Sequence, residues 1–251
     1  MQRYFLEEAY QPNTRFELSG EAFHHIVRVM RMAPKDQVYL AFNDQVSIRA
    51  EITEISEDTV YLSELEKEKS QKELPNNITI ASGYPKGDKL DWIVQKGTEL
   101  GAHGFIGFPA KTSIVKWDAK KRNKRQERLN KIAQEAAEQS HRQIAPQVEL
   151  LESQQALFDR LSAYDVLLIA YEESAKQGEL ANLAKVFQEL TDGSRILAIF
   201  GPEGGLAPEE VEAFVEKGGI LCGLGPRILR TETAPLYLLS AASYQWELTH
   251  C

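Results

Sequence analysis

The sequence predicts an α/β protein in two parts, a small β unit followed by a larger unit built on a mostly parallel sheet with helices on both faces. Three observations carry that prediction. Before residue 72 the apolar residues fall in short strand-like runs between polar turns. From Glu64 to Lys72 nearly every residue is charged or polar, and Pro75-Asn76-Asn77 follows, which places a domain boundary near residue 72. After Asn77, β-branched apolar runs alternate with stretches of helical period, the pattern of parallel strands joined by crossover helices.

In the first part the strands are Val38–Phe42, Ser47–Ile52 and Thr59–Leu62, with Asn43-Asp44 as a turn. In the second, Ile78–Ala81 is the first strand, and Leu90, Ile93, Val94, Gly97 and Leu100 then recur at helical spacing and stop at Gly101. Phe105–Phe108 is the next strand. Lys121–Ser140 is a long helix with Leu129, Ile132, Ala133 and Ala136 on one side. Val166–Ala170, Arg195–Phe200 and Ile220–Leu224 follow as apolar strands. The last helix, about Pro235–Leu248, is apolar nearly all round, which means burial in a core or a subunit interface.

Composition narrows the function classes. No apolar run reaches the roughly 18 residues of a membrane span, and the opening Met1–Glu8 turns acidic before a signal-peptide core develops, so a cytoplasmic protein is expected. Two cysteines, Cys222 and Cys251, make neither a disulfide framework nor a metal cluster. The formal net charge of -8 argues against a generic nucleic-acid binder, yet Lys111–Arg142 holds ten Lys or Arg against four acids, nets +6, and leaves -14 elsewhere.

Two loops carry the chemistry. The strand Arg195–Phe200 runs directly into Gly201-Pro202-Glu203-Gly204-Gly205, and Pro208-Glu209-Glu210 then opens a helix with Pro and acids in its first turn. Three glycines let backbone approach a ligand closely, beyond the carboxyl end of a strand where open α/β sheets bind. An ordinary tight turn is the plain alternative. The spacing matches neither G-x-G-x-x-G nor a P-loop, which removes the main support for dinucleotide or nucleoside-triphosphate binding. The second loop, Leu224–Ala234, also joins a strand to a helix; Thr231 or Thr233 suits a helix cap, and Arg230 with Glu232 reads either as a functional pair or as a surface ion pair. Two such loops at neighbouring strand ends can enclose one pocket.

The basic window is the third signal. Arg122, Arg125 and Arg128 fall at three-residue spacing on a face away from Leu129 and Ile132, able to bind phosphates or simply to be a solvated helix face. His24, His25, Arg28 and Arg31 make a weaker patch beside Phe23 and Ile26.

Taken together, Gln95–Gly101, Glu138-Gln139-Ser140-His141-Arg142, Gly201–Gly205 and Leu224–Ala234 resemble, in order and spacing, the RsmE family of 16S ribosomal RNA uridine-N3 methyltransferases. Arg3-Tyr4-Phe5 and His25–Arg31 resemble that family's N-terminal domain. The resemblance implies residues 1–72 as a PUA-like RNA-binding β-barrel and 73–251 as a SPOUT methyltransferase domain with a trefoil knot toward its end. It implies a homodimer, S-adenosyl-L-methionine as cofactor, no metal, and one uridine in the decoding region of the small ribosomal subunit as substrate. Leu206-Ala207 stands where the family usually has an aromatic residue and a hydroxyl, and Gly97 replaces a usual alanine.

On this reading the cofactor is cradled by Ile169, Ala170, Phe200, Gly201, Pro202, Glu203, Gly204, Gly205, Leu224, Gly225, Ile228, Leu229, Arg230 and Thr231. Arg230 stabilises charge developing on uracil O2 or O4, and Glu232 or Glu203 accepts the N3 proton. The candidate RNA contacts are Arg3, His25, Arg28, Arg31, Lys86, Lys116, Arg122, Arg125, Arg128, Gln139 and Arg142. Competing readings are a related methyltransferase acting on another RNA, a non-catalytic ribosome-assembly factor, and a metabolic nucleotide-binding enzyme.

Overall fold

The computed structural model describes residues 1–12, 15–69, 71–171 and 182–249. They form two compact units: Met1–Glu73 with Ala137–Ala145, and Leu74–Ala136 with Pro146–Cys251.

The first unit is a curved five-stranded sheet. Its elements are β1 (Gln2–Leu6), β2 (Phe16–Ser19), α1 (Gly20–His24, continued by a π-helical turn His25–Val29), β3 (Gln37–Phe42), β4 (Ser47–Ile55) and β5 (Thr59–Lys67). The strand order is β1-β3-β4-β5-β2, with β1 parallel to β3 and every other pair antiparallel. Alternate residues of the strands face one core: Val38 and Leu40, Ile48, Ala50 and Ile52, Val60 and Leu62, with Ile26 of the helical turn completing it. Register shifts at Arg49/Ala50 and Ile52/Glu54 in β4 add the local twist that lets so small a sheet wrap its core.

The sequence reading missed β1 and β2 because their apolar residues are too few to stand out. Arg3 in β1 is paired across the unit rather than solvated. Its guanidinium donates to Ser47 Oγ and Glu68 Oε2, both at 2.7 Å, and lies over the Tyr39 ring.

The second unit contains β6 (Asn77–Gly83), α2 (Lys89–Glu99), β7 (Gly104–Phe108), α3 (Ala119–Gln139), β8 (Gln147–Leu150), α4 (Gln154–Phe158), β9 (Val166–Ala170), α5 (Asn182–Glu189), β10 (Arg195–Phe200), α6 (Pro208–Glu216), β11 (Ile220–Cys222) and α7 (Ala234–Ser243, continued by a π-helical turn Tyr244–Leu248). The last residues of α3, from Ala137, cluster with the first unit. The six strands run in the order β11-β9-β10-β6-β7-β8, and all five pairings are parallel.

Both faces of this sheet are covered. Ile78, Ile80, Leu168, Ile196 and Ala198 face Leu90, Ile93 and Val94 of α2, Leu129 and Ala133 of α3, Phe187 of α5, and Leu238 and Leu239 of α7. Ala81, Leu167, Ile169, Leu197 and Ile199 face Leu157 of α4 and Val211 and Phe214 of α6 on the other side. Strands buried on both faces read as continuous apolar runs, which is why the sequence announced them.

Several boundaries differ from expectation. Helix α3 begins at Ala119 rather than Lys121, since Asp118 Oδ1 accepts the Lys121 backbone N–H at 2.8 Å and sets the helix start. Strand β11 ends at Cys222, so Gly223 and Leu224 already belong to the following loop. Strand β8, unforeseen, is an edge strand whose polar groups are met by α3: Val148 N donates to Asn130 Oδ1 at 2.9 Å and Leu150 N to Gln126 Oε1 at 2.8 Å. Among the described residues no helix is long and apolar enough to cross a membrane, and no cluster of His, Cys, Asp and Glu could hold a metal ion.

Candidate active site

Because the strands are parallel, β9, β10 and β11 all end at the same edge of the sheet, and the loops leaving them gather there. They line a cleft of about 470 Å³: Ala170 and Tyr171 after β9, Phe200 through Leu206 after β10, and Leu224 through Leu229 with Thr231 and Ala234 after β11. Its walls mix apolar side chains with backbone, as in sites that hold a small organic ligand. Between Gly225 and Leu229 the backbone N–H groups find no acceptor among the described residues, so they remain open to a bound molecule.

The glycine-rich loop is shaped by a close approach of backbone to backbone. A Cβ on Gly201 would stand 2.4 Å from the Gly205 carbonyl carbon and 2.6 Å from Leu206 N, so the loop folds back on itself where no side chain fits. Gly205 N closes the turn on Pro202 O at 2.8 Å. The loop is then pinned from outside. Thr112, in the segment after β7, donates its hydroxyl to Gly205 O, and the Lys111 backbone N–H donates to Glu210 Oε1 at 2.9 Å.

Glu210 is a buried carboxylate, 2% exposed, that also accepts from Ala207 N and Gln154 Nε2. It supplies one half of a capping box; Ala207, lacking a side-chain acceptor, supplies no return bond.

A cation joins the two loops, through Glu203 in the cleft wall and through Glu232, a predicted catalytic residue that the wall does not include. Lys89, the first residue of α2, places its ammonium 2.9 Å from Glu203 Oε1 and 3.4 Å from Glu232 Oε2. Glu203 Oε1 also accepts the Lys86 backbone N–H at 3.1 Å. Partial burial works against the charge on Glu203, but the hydrogen bonds from Lys89 and from backbone N–H groups outweigh it and hold the carboxyl below its usual range. The Glu203 carboxylate in turn raises the Lys89 ammonium above its ordinary value.

Of the sequence-predicted cofactor residues, Ala170, Phe200, Gly201, Pro202, Glu203, Gly204, Gly205, Leu224, Gly225, Ile228, Leu229 and Thr231 line this cleft. Two do not. Ile169 is fully buried in the core on the α6 side, because alternation along β9 points it into that face of the sheet. Arg230 is exposed outside the cleft wall, its carbonyl fixed by the N–H groups of Thr233 and Ala234 at the start of α7. Sequence reasoning missed Tyr171 and Leu206 in the wall, and Lys89 behind it; Pro226, Arg227 and Ala234 belong to the wall as parts of the expected loop Leu224–Ala234. The adjacency of Lys89 to Pro85-Lys86-Gly87-Asp88, a turn opening a helix beyond the end of β6, was the available signal.

The predicted RNA contacts divide by exposure. In the second unit Lys86 and Lys116 are exposed, Arg122 is half-buried, Arg125 lies over the Trp117 ring at 4.6 Å, and Arg128 pairs with Asp91 at 2.5 Å. In the first unit Arg28, Arg31 and Gln139 are exposed, while His25 Nδ1 meets the Tyr4 hydroxyl at 2.9 Å. Arg3 and Arg142 are corrections: their side chains are 0% and 3% exposed and pair with Glu68 and Glu73, so neither guanidinium faces a phosphate. Glu73 Oε1 further accepts Gln143 N at 2.8 Å and Ile144 N at 3.2 Å, so the Arg142 motif fastens its own segment within the first unit. His141 packs edge-on against Tyr39 at φ 58°, and burial followed by the charge of Arg3 lowers its pKa.

A family model described as an RNA methyltransferase domain matches residues 72–243, and one described as an RNA methyltransferase PUA domain matches residues 18–65. A parallel sheet with a glycine-lined cleft at its carboxyl edge, preceded by a PUA unit, is therefore the architecture of an RNA methyltransferase. The chain is 51% identical over 251 residues to ribosomal RNA small subunit methyltransferase E of Bacillus subtilis strain 168, covering 99% of this chain and 98% of that one. The chain belongs to the ribosomal RNA small subunit methyltransferase E family. It also superposes on the Neisseria gonorrhoeae member of that family bound to S-adenosyl methionine, with 28% identity, TM-score 0.82 and 98% of each chain covered. A crystal structure described as a hypothetical protein matches at 49% identity and TM-score 0.91, over 98% of this chain and 99% of that one.

Proposed function

We propose that this protein transfers the methyl group of S-adenosylmethionine to N3 of one uridine in 16S ribosomal RNA, in the decoding region of the small subunit. The observation that carries the reading is the cleft: two loops from the parallel strands on either side of β9, one forced by Gly201 to fold on itself, enclose a space with apolar walls and open backbone donors. Such a wall, apolar side chains interleaved with backbone, fits a nucleoside attached to an amino acid. The methyl-donor complex of the N. gonorrhoeae relative supports the same choice of ligand.

When bound, S-adenosylmethionine supplies a methyl already activated on a sulfonium, so the chain's task is alignment and management of one proton. Neutral uracil N3–H has no lone pair to give. A carboxylate at the cleft takes the proton; the freed N3 pair forms the new N–C bond as the S–C bond breaks, its electrons returning to sulfur. Arg230, exposed beside the cleft loop, meets the charge that spreads to O2 or O4.

In this reading residues 1–72 act as the PUA-like RNA-binding domain and 73–251 as a SPOUT domain with its chain threaded as a trefoil knot. Exposed Arg28, Arg31, Lys86 and Lys116 position phosphates, and the target base leaves its stack to enter the cleft. Exposed Trp92, Tyr237, Tyr244 and Leu248 on α2 and α7 leave apolar surface for a second copy, in keeping with a homodimer working in the cytoplasm.

The test is transfer of labelled methyl to small ribosomal subunits from a strain lacking the enzyme, followed by nucleoside identification. The expected product is N3-methyluridine; label in another nucleoside, or none, overturns the reading.

A further inference from the structure

We propose that Lys89 is a positioning residue of the methyl-transfer site, tying the two cleft loops together and dividing the work of the two carboxylates, with Glu203 an anchor and Glu232 the proton acceptor. The proposal rests on the methyltransferase reading above. Lys89 belongs to neither loop: it opens α2, whose Leu90, Ile93 and Val94 are fixed in the core. Its ammonium reaches Glu203, in the loop after β10, and Glu232, in the loop after β11, at 2.9 and 3.4 Å. One cation on a rigid helix thus spans both lips, so neither loop can move off without breaking an ion pair.

The two carboxylates are not equivalent. Glu203 Oε1 is held by two donors of the short segment Lys86–Lys89, the Lys86 N–H and the Lys89 ammonium. An oxygen so occupied fixes a loop well and receives a proton poorly. Glu232 does not itself line the cleft; its Oε2 has Lys89, at 3.4 Å, as its ion-pair partner, the longer and weaker of that ammonium's two contacts. A carboxylate less saturated with donors than Glu203, next in sequence to the cleft-lining Thr231, suits a proton arriving from uracil N3. After transfer the Glu232 carboxyl carries the N3 proton and later returns it to water; Lys89 stays charged throughout.

The experiment compares Lys89→Met, Lys89→Arg, Glu203→Gln and Glu232→Gln in methyl transfer to small subunits, with S-adenosylmethionine affinity by calorimetry and melting temperature for each. The proposal expects Lys89→Met to lower kcat at least tenfold, with KM for subunits and melting temperature little changed. Lys89→Arg should restore most of the rate, because the longer cation still spans both loops. Glu232→Gln should lower kcat on the order of a hundredfold, and Glu203→Gln only a few-fold. Wild-type turnover by Lys89→Met, no recovery by Lys89→Arg, or equal losses in the two Gln variants each overturn it. Should Lys89→Met fail to fold, the two Gln variants still decide between the carboxylates. Failure of the wild-type protein to methylate subunits would instead overturn the function on which the proposal rests.

Discussion

Glu210 holds the entrance of its own helix, accepting the Ala207 backbone N–H at 2.8 Å from three residues further along α6, while its other oxygen accepts from Lys111 and Gln154. One buried carboxylate thereby locks the end of the glycine-rich loop to the segment after β7. Replacing it with alanine removes the acceptor of three partly buried donors around a carboxylate that is itself 2% exposed. Donors to a charged group are each worth roughly 1.5–3 kcal/mol, so Glu210→Ala should cost about 3 kcal/mol or more of stability, read from urea unfolding. Glu210→Gln keeps one acceptor and should lose markedly less; equal losses would show that the carboxylate is not the lock.

Gly201→Ala should abolish most affinity for S-adenosylmethionine. Its Cβ meets the backbone of Gly205 and Leu206 at 2.4–2.6 Å, and backbone cannot swing aside as a flexible side chain can. Gly218, following α6, is the control: a Cβ there meets nothing within 4 Å, but φ is +89°. Gly218→Ala should therefore cost about 1–2 kcal/mol of stability through backbone strain alone and leave calorimetric affinity unchanged.

At Gly97 two effects oppose. Alanine inside a helix gains about 1 kcal/mol over glycine. The Phe105 ring, however, already occupies the space, with Cε1 2.7 Å from where the Cβ would be, and overpacking a core costs about 1–3 kcal/mol. Gly97→Ala should thus be neutral to destabilising here, with the loss reversed by Phe105→Leu in the same chain. A stabilised single variant would show that Phe105 yields without strain.

Glu203 gives a dependence on pH with a definite sign. Its carboxyl is held below the ordinary value of 4.5 in the folded chain, chiefly by Lys89 together with backbone N–H groups including that of Lys86, and against the cost of burial. The stabilisation is therefore present above about pH 4.5 and is lost as pH falls through the lowered folded value. Stability of the wild type relative to Glu203→Gln, followed by unfolding at stepped pH, should shrink on acidification below that point. Parallel curves would mean that the Lys89 pairing contributes nothing to folding.

For RNA, exposed and buried cations should separate. Lys116→Ala should weaken binding and reduce the slope of log affinity against log salt by about one. Arg142→Ala should instead destabilise the first unit, because it strands Glu73, whose Oε1 also receives Gln143 and Ile144. If Arg142→Ala reduced the salt slope without lowering stability, its guanidinium would have to be a phosphate ligand.

The second unit was largely legible because strands covered on both faces leave unbroken apolar runs such as Ile196–Phe200, and because Gly201 and Gly225 mark their ends. What stayed hidden depends on pairing at long range. Strand β8 offers only Val148 and Leu150 to the core, and its polar edge is met by Gln126 and Asn130, which in sequence look like ordinary helix-surface residues. Lys89 stayed hidden because the turn before it marks only a helix start, and nothing local says that two carboxylates over a hundred positions away converge on it. Arg3 and Arg142 misled for the converse reason: a basic residue in a recurring motif reads as a ligand for phosphate, and only the fold shows Glu68 and Glu73 already holding it.

The pairing of β6 with β10 sets the tempo at which the catalytic half of this chain can assemble. Asn77 pairs beside Arg195, and just outside the ladder Ser194 bonds Asn76 across 118 positions of sequence. Loop closure over such a span comes before any reward from the contacts it brings, so nucleation there is slow. During synthesis the hairpins β3-β4-β5 can close early, whereas β6, once paired to β7, keeps its other edge open until β10 emerges, which makes this interval the one in which the nascent chain most needs protection from aggregation.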